Sequence, residues 1–132
     1  MSEAAEGRGG GRRRKRGRLS RSGDFDRVFR DGRSHANRYL VVYSFPRSGG
    51  DEPRLGISVG RKVGGAVTRN QVKRQLREAF WACAGELPDG HDFVVVARPD
   101  VAALAADGGA PAVESELREV MAKAGLAEEG ER

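Results

Sequence analysis

The chain has one cysteine, two histidines, one tryptophan and no long apolar run. Each shortage excludes something. A lone Cys83 cannot close an internal disulfide, and its place within a helical pattern fits a small buried side chain in a reducing compartment. With only His35 and His91 beside it, far apart in the sequence, no structural zinc site can be assembled. The uninterrupted apolar runs, such as Phe93 to Ala97, fall far short of the roughly 20 residues a membrane span requires, so no membrane role is expected. The N-terminus MSEAAEGRGGGRRRKRGR carries no apolar segment behind its basic residues and does not read as a secretory signal. A cytoplasmic protein is expected. Phosphate motifs are missing too: GRKVGGAVT lacks the G-K-[ST] of a P-loop, and no G-x-G-x-x-G occurs. The length of 132 residues suits one compact domain.

What is present is positive charge, unevenly placed. The formal net charge is +5, and residues 1 to 18 alone hold seven Arg/Lys against two Glu. Beyond them the stretch from Arg61 to Gly85 holds six basic residues against one acid, whereas Glu86 to Arg132 holds four against eleven. One basic and one acidic face follow, and a polyanion would dock in one orientation rather than coat the surface.

Residues 1 to 18, rich in Gly and Arg with nothing to anchor packing, read as a disordered basic arm. Ser22 to Arg30 has Phe25, Val28 and Phe29 at helical spacing, with Gly32 as terminator. Arg38 to Phe45 and Arg54 to Val59 read as paired strands around the turn SGGDEP; in the second, Leu55, Ile57 and Val59 share one face and Gly56 and Ser58 the other. The loop GRKVGGAV leads to a helix whose start is marked by Thr68 and Gln71, the spacing of a capping box, and whose end falls near Ala84 before Gly85 and Pro88. Asp92 to Arg98 is a strand apolar on both faces and therefore interior. ADGGAP reads as a flexible loop, and Pro111 opens a last helix with Val113, Leu117, Val120, Met121 and Ala124 in one stripe. The acidic end, 126 to 132, reads as a disordered tail. This order of elements predicts an α+β fold, helices packed on a small sheet, over residues 19 to 125.

At roughly 100° per residue, Val72, Leu76, Ala79, Phe80 and Cys83 occupy one arc of the middle helix, its core face. Arg69, Asn70, Lys73, Arg74 and Arg77 fill the adjoining arc, and Gln71, Gln75 and Glu78 take the remainder. No acid lies within the cationic arc itself, Glu78, four residues after Arg74, being the only one on the helix; like charges so grouped mildly destabilise the free helix and call for an external anion. The glycine-rich loop before it adds outward backbone N–H groups and the helix dipole. RNA or DNA phosphates are the expected partner.

The segment RLGISVGRKVGGAVTRNQVKRQLREAF resembles the signature of the protein subunit of bacterial ribonuclease P. The likeness extends from about Leu19 to Ala124, through RLSRSGDFDRVFRDG, ANRYLVVY and LPDGHDFVVVARP. It implies a small two-layer α/β sandwich of the ribosomal protein S5 domain 2 type, a sheet of about four strands with a left-handed βαβ crossover through the basic helix, against the usual hand. It implies a protein without catalytic residues of its own, assisting a catalytic RNA that removes the 5′ leader of precursor tRNA. Both RNAs are partners in that reading, and no obligate protein partner is expected. Mg²⁺ is implied as the RNA's cofactor, with no metal bound by the protein alone. Carried over by position, the family's R-N-R motif falls on Arg69, Asn70 and Gln71, the last a departure from arginine, with basic positions following at Lys73, Arg74 and Arg77. Arg61 and Lys62 match the basic pair of the preceding loop, and Phe25, Phe29 and Tyr43 match a cleft for the single-stranded leader.

Aromatic faces and cations together suit sequence-tolerant binding of a single strand. Phe25 and Phe29, four residues apart on an amphipathic helix, also suit a core, and Trp81 beside Phe80 reads as half-buried rather than as a stacking platform. Two rivals stay open: a structural RNA-binding module that never meets precursor tRNA, and a protein-only ribonuclease using His35 and His91, both placed at strand entrances, as acid and base.

Overall fold

In the computed structural model, which describes residues 17–19, 22–46, 52–88 and 90–126, the most apolar strand takes the centre of the sheet. Strand β5, His91–Ala97, buries Phe93, Val95 and Ala97 on one side and Val94 on the other. It pairs antiparallel with β3, Leu40–Pro46, and parallel with β4, Arg54–Val59. Outside β3 lies β2, Arg33–Ala36, antiparallel; outside β4 lies the two-residue β1, Gly17–Arg18, parallel. The order is β1-β4-β5-β3-β2.

The sequence places three strands and the resemblance implies about four; β2 and the short β1 bring the sheet to five, β1 being formed by two residues that composition places in the basic arm. The rest of that arm, residues 1–16, lies outside the described residues. Strand β2 was not anticipated because RSHA is polar and mostly exposed, so no apolar alternation marks it; its pairing with β3 makes it a strand. Strand β3 starts at Leu40 rather than Arg38 because Asn37 Oδ1 accepts the N–H groups of both Tyr39 and Leu40, holding a turn there.

Helix α1, Ser22–Asp31, stops where expected: the Gly32 N–H reaches Val28 O at 2.9 Å, and a Cβ on Gly32 would lie 2.5 Å from that oxygen. Helix α2, Ala66–Cys83, begins two residues before Thr68, with Gly65 as N-cap and no side-chain cap. The capping box does not form. A 3-10 turn, Arg61–Val63, anchored by buried Val63, fixes the approach, and the Arg69 N–H already bonds Gly65 O at 2.9 Å. After α2 a second 3-10 turn, Ala84–Glu86, leads towards β5.

The ADGGAP segment is a correction as well. It lies inside helix α3, Val101–Lys123, which is broken at Gly109 (φ 67°, ψ −162°) and restarts around Pro111. The preceding alanine-rich stretch is strongly helix-forming, so the glycine pair breaks the helix axis without opening a loop. Val113, Leu117, Val120 and Met121 form the buried stripe as expected. Leu126, just past the expected end of the domain, packs against the core; residues 127–132 lie outside the description.

Helices α2 and α3 cover the sheet face carrying Leu40, Val42, Leu55, Phe93 and Val95, and α1 covers part of the other face, where its Val28 clusters with Leu19 and Val94. The adjacent parallel pair β4 and β5 is joined through α2. Among the described residues no helix is long and apolar enough to cross a membrane.

Candidate nucleic-acid interface

Helix α2 has two unlike sides because it is amphipathic by charge. Val72, Leu76, Ala79, Phe80 and Cys83 are buried, as their spacing predicts. Asn70, Arg74 and Arg77 are exposed and Lys73 is half-buried, so the cationic arc faces outward. Among the described residues, no carboxylate forms an ion pair with Arg61, Lys62, Lys73, Arg74 or Arg77. The basic side chains elsewhere show that this is not a shortage of acids. Arg118 bonds Glu86 and Glu114, Arg38 bonds Asp100, and Arg54 bonds Asp92.

Arg69 behaves differently from its neighbours. Its Nε donates to Gly64 O at 3.1 Å, bracing the glycine loop against the first turn of α2. Arg61 and Lys62 project from the 3-10 turn, exposed, while Val63 between them and the helix is buried. The first turn of α2 has no acid and no side-chain cap. Backbone N–H groups at the helix N-terminus and the flanking cations therefore address the same space, an arrangement suited to phosphate oxygens. Val67, 84% exposed, stands among them.

The second surface lies across the sheet. Phe29 meets Tyr43 edge-on, centroids 4.9 Å apart, and Phe25 lies 6.3 Å from Phe29. The three proposed leader-binding side chains are thus contiguous. They differ in burial: Phe29 is 40% exposed, whereas Phe25 is half-buried against Gly56. Beside them the strand face offers Val41, Ser58 and Val96, half-buried where α1 leaves the sheet uncovered. Sequence reading missed Arg27, whose guanidinium sits 5.8 Å from the Phe45 ring centroid while bonding Asp24 at 2.9 Å. The helical spacing of Arg27 from Asp24 was a signal for that pair.

Other expectations resolve locally. Trp81 is half-buried, edge-on to Phe80 at 4.9 Å, and packs against the core. His91 opens β5, whereas His35 lies within β2. Gln75 is a correction: placed by the helical projection outside the core face, it is buried under α3, with Nε2 donating to Ala105 O at 3.4 Å. Among the described residues no group of three or more His, Cys, Asp or Glu is placed to hold a metal ion.

Compared with known proteins, the chain matches over residues 14–125 a family model described as Ribonuclease P. A ribonuclease P protein component of Shouchella clausii is 42% identical over 111 residues, which cover 84% of this chain and 88% of the relative. One from Streptococcus pyogenes is 49% identical over 87 residues, 66% of this chain and 71% of the relative. Among solved structures, the Staphylococcus aureus RNase P protein aligns with a TM-score of 0.75 at 34% identity, covering 86% of this chain and 99% of that one. The Thermotoga maritima RNase P protein aligns at 0.72 and 35% identity, covering 82% and 97%.

Proposed function

This chain belongs to the ribonuclease P protein family, and on that premise we propose that it grips the catalytic RNA with the cationic arc of α2 and guides the 5′ leader of precursor tRNA through the aromatic cleft beside α1. The protein is the subunit of a ribonucleoprotein that processes tRNA. The observation that carries the division of labour is the contrast in pairing: Arg61, Lys62, Lys73, Arg74 and Arg77 lack carboxylate partners among the described residues, while Arg54 and Arg118 are held in ion pairs.

In this reading the bond breaking belongs to the RNA. A divalent cation such as Mg²⁺, held by the RNA and not by this chain's residues, would supply charge stabilisation for an attacking water and a leaving oxygen. The protein's own residues bind and orient. Arg69 holds the Gly64 carbonyl and so fixes the loop from which Arg61 and Lys62 reach phosphates. Asn70, Lys73, Arg74 and Arg77 extend the same contact along the helix. Across the sheet, Phe29 and Tyr43 present edges and faces on which unpaired bases stack with little regard to sequence. The ribonucleoprotein works in the cytoplasm.

The test is cleavage of precursor tRNA at low magnesium by the protein alone, by its cognate catalytic RNA alone, and by the two together. The expected result is efficient leader release only in the mixture. Cleavage by RNA-free protein that His35→Ala abolishes would overturn the assignment of chemistry to the RNA.

A further inference from the structure

Both histidines of the chain line one cavity of about 410 Å³ at the end of the sheet where β3 finishes and β5 begins. Register explains their meeting. Arg33 pairs with Ser44, His35 with Val42 and Pro46 with His91, so Arg33, His35, Ser44 and His91 all project to the face that α3 covers. Ala124 and Leu126, at the end of α3, close one wall and Phe45 and Pro46 another. His91 stacks on Phe93, ring centroids 5.9 Å apart and 21° between planes. His35 Nδ1 is buried and has no hydrogen-bond partner. A buried nitrogen without a partner is destabilising, and an incoming acceptor or donor would relieve that.

We propose that this cavity binds the phosphate of a nucleotide, with Arg33, His35 and the Ser44 hydroxyl on the phosphate and the Pro46–Leu126 wall against the base. Arg33 is exposed and free of ion pairs among the described residues, which leaves its planar fork available for a phosphate. The single carboxylate of the lining, Asp31, already accepts a hydrogen bond from Arg30 Nε at 3.4 Å. The mix of phosphate donors with an apolar wall matches a nucleotide better than a bare anion, and the volume admits one nucleotide unit. The phosphate-binding side chains project to the sheet face opposite Tyr43, so the proposal stands apart from the leader cleft and from the arc of α2.

Because His35 and His91 are the only histidines, imidazole NMR signals of the full chain report on this cavity alone. The probes are inorganic phosphate, adenosine monophosphate and a short single-stranded RNA. The expected result is saturable movement of the His35 signals, at lower concentration with the nucleotide than with inorganic phosphate. Arg33→Ala should raise the dissociation constant about tenfold, the loss of one charge-assisted hydrogen bond. Tighter binding of the mononucleotide identifies a free ligand, and tighter binding of the oligonucleotide an RNA strand; each supports the site. Still signals with all three probes, or an Arg33→Ala titration identical to the parent, would overturn it. Equal affinity for phosphate and nucleotide would overturn the assignment to a nucleotide. Arg33 is an exposed edge position, so that variant should keep its fold, and His35→Gln with the fold checked by circular dichroism provides a second perturbation.

Discussion

Phe25 rests directly on Gly56: a Cβ built on that glycine would lie 2.6 Å from Phe25 Cζ. The absence of a side chain on Gly56 in β4 lets the aromatic ring of α1 settle onto the sheet. Phe25 therefore serves packing while Phe29, 40% exposed, faces outward.

The pair predicts a split between two phenylalanines four residues apart. Phe25→Ala should cost about 2 kcal/mol, below the range for a fully buried Phe because the ring is half-exposed. Phe29→Ala should cost under about 1 kcal/mol yet reduce the preference of the assembled enzyme for precursor over mature tRNA. Gly56→Val should displace the Phe25 ring and destabilise by about 1–3 kcal/mol. Urea unfolding and binding to precursor and mature tRNA measure all three. Equal stability losses at Phe25 and Phe29 with unaltered leader preference would count against the cleft.

The unpaired cations of α2 predict a salt signature. With about six phosphate contacts to single-stranded sites, the slope of log affinity against log salt should be on the order of −4, and steeper for duplex. Arg74→Glu with Arg77→Glu should weaken binding to the catalytic RNA and flatten that slope, because both side chains are exposed and leave the core untouched. An unchanged slope would place the RNA elsewhere.

Much of this interface was legible because α2 and the central strands carry strong periodicity. The core stripe from Val72 to Cys83 and the cationic arc follow from helical geometry alone. Gln75 shows where such reasoning stops. It lies only about 40° around the helix from Ala79, at the border of the stripe, and whether it is buried depends on what packs there. That neighbour is the first half of α3, through Ala105, the segment whose Gly-Gly-Ala-Pro end disguised it as leading into a loop. One missed helix thus produced two errors. The cavity holding His35 and His91 was hidden for another reason: it depends on register between β2, β3 and β5, and β2 has no apolar alternation to announce it.

Arg54 and Asp92 sit side by side at the head of the parallel pair and make two hydrogen bonds of 2.8 Å, Nε to Oδ1 and one Nη to Oδ2. The Asp92 side chain is almost wholly buried and Arg54 is partly exposed; the bond to Asp92 raises the Arg54 pKa further above its ordinary value. Arg54→Ala leaves a buried carboxylate without its main cationic partner and should cost about 3 kcal/mol. Arg54→Met with Asp92→Leu should recover part of that loss, since an apolar pair carries no desolvation penalty. Urea unfolding decides it, and a loss below 1 kcal/mol for Arg54→Ala would show that the pair adds little to stability.

Cys83 ends α2 with its thiol buried, 3.4 Å from Ala79 O. Burial pushes its pKa up from 9.0 to about 11, outweighing the downward pull of nearby Arg118. The folded protein thus favours the neutral thiol. Its contribution to stability is complete below the unfolded pKa and is lost as pH rises from about 9 through 11. In Cys83→Ala the stability should therefore decline less steeply across that window than in the parent, although the parent is the more stable protein at pH 7. The thiolate is the reactive form, so at pH 8 a disulfide reagent should label native Cys83 only as the chain unfolds, and denatured protein at once. Rapid labelling of the native protein at pH 8, or parallel pH–stability curves for parent and variant, would contradict the buried, neutral thiol.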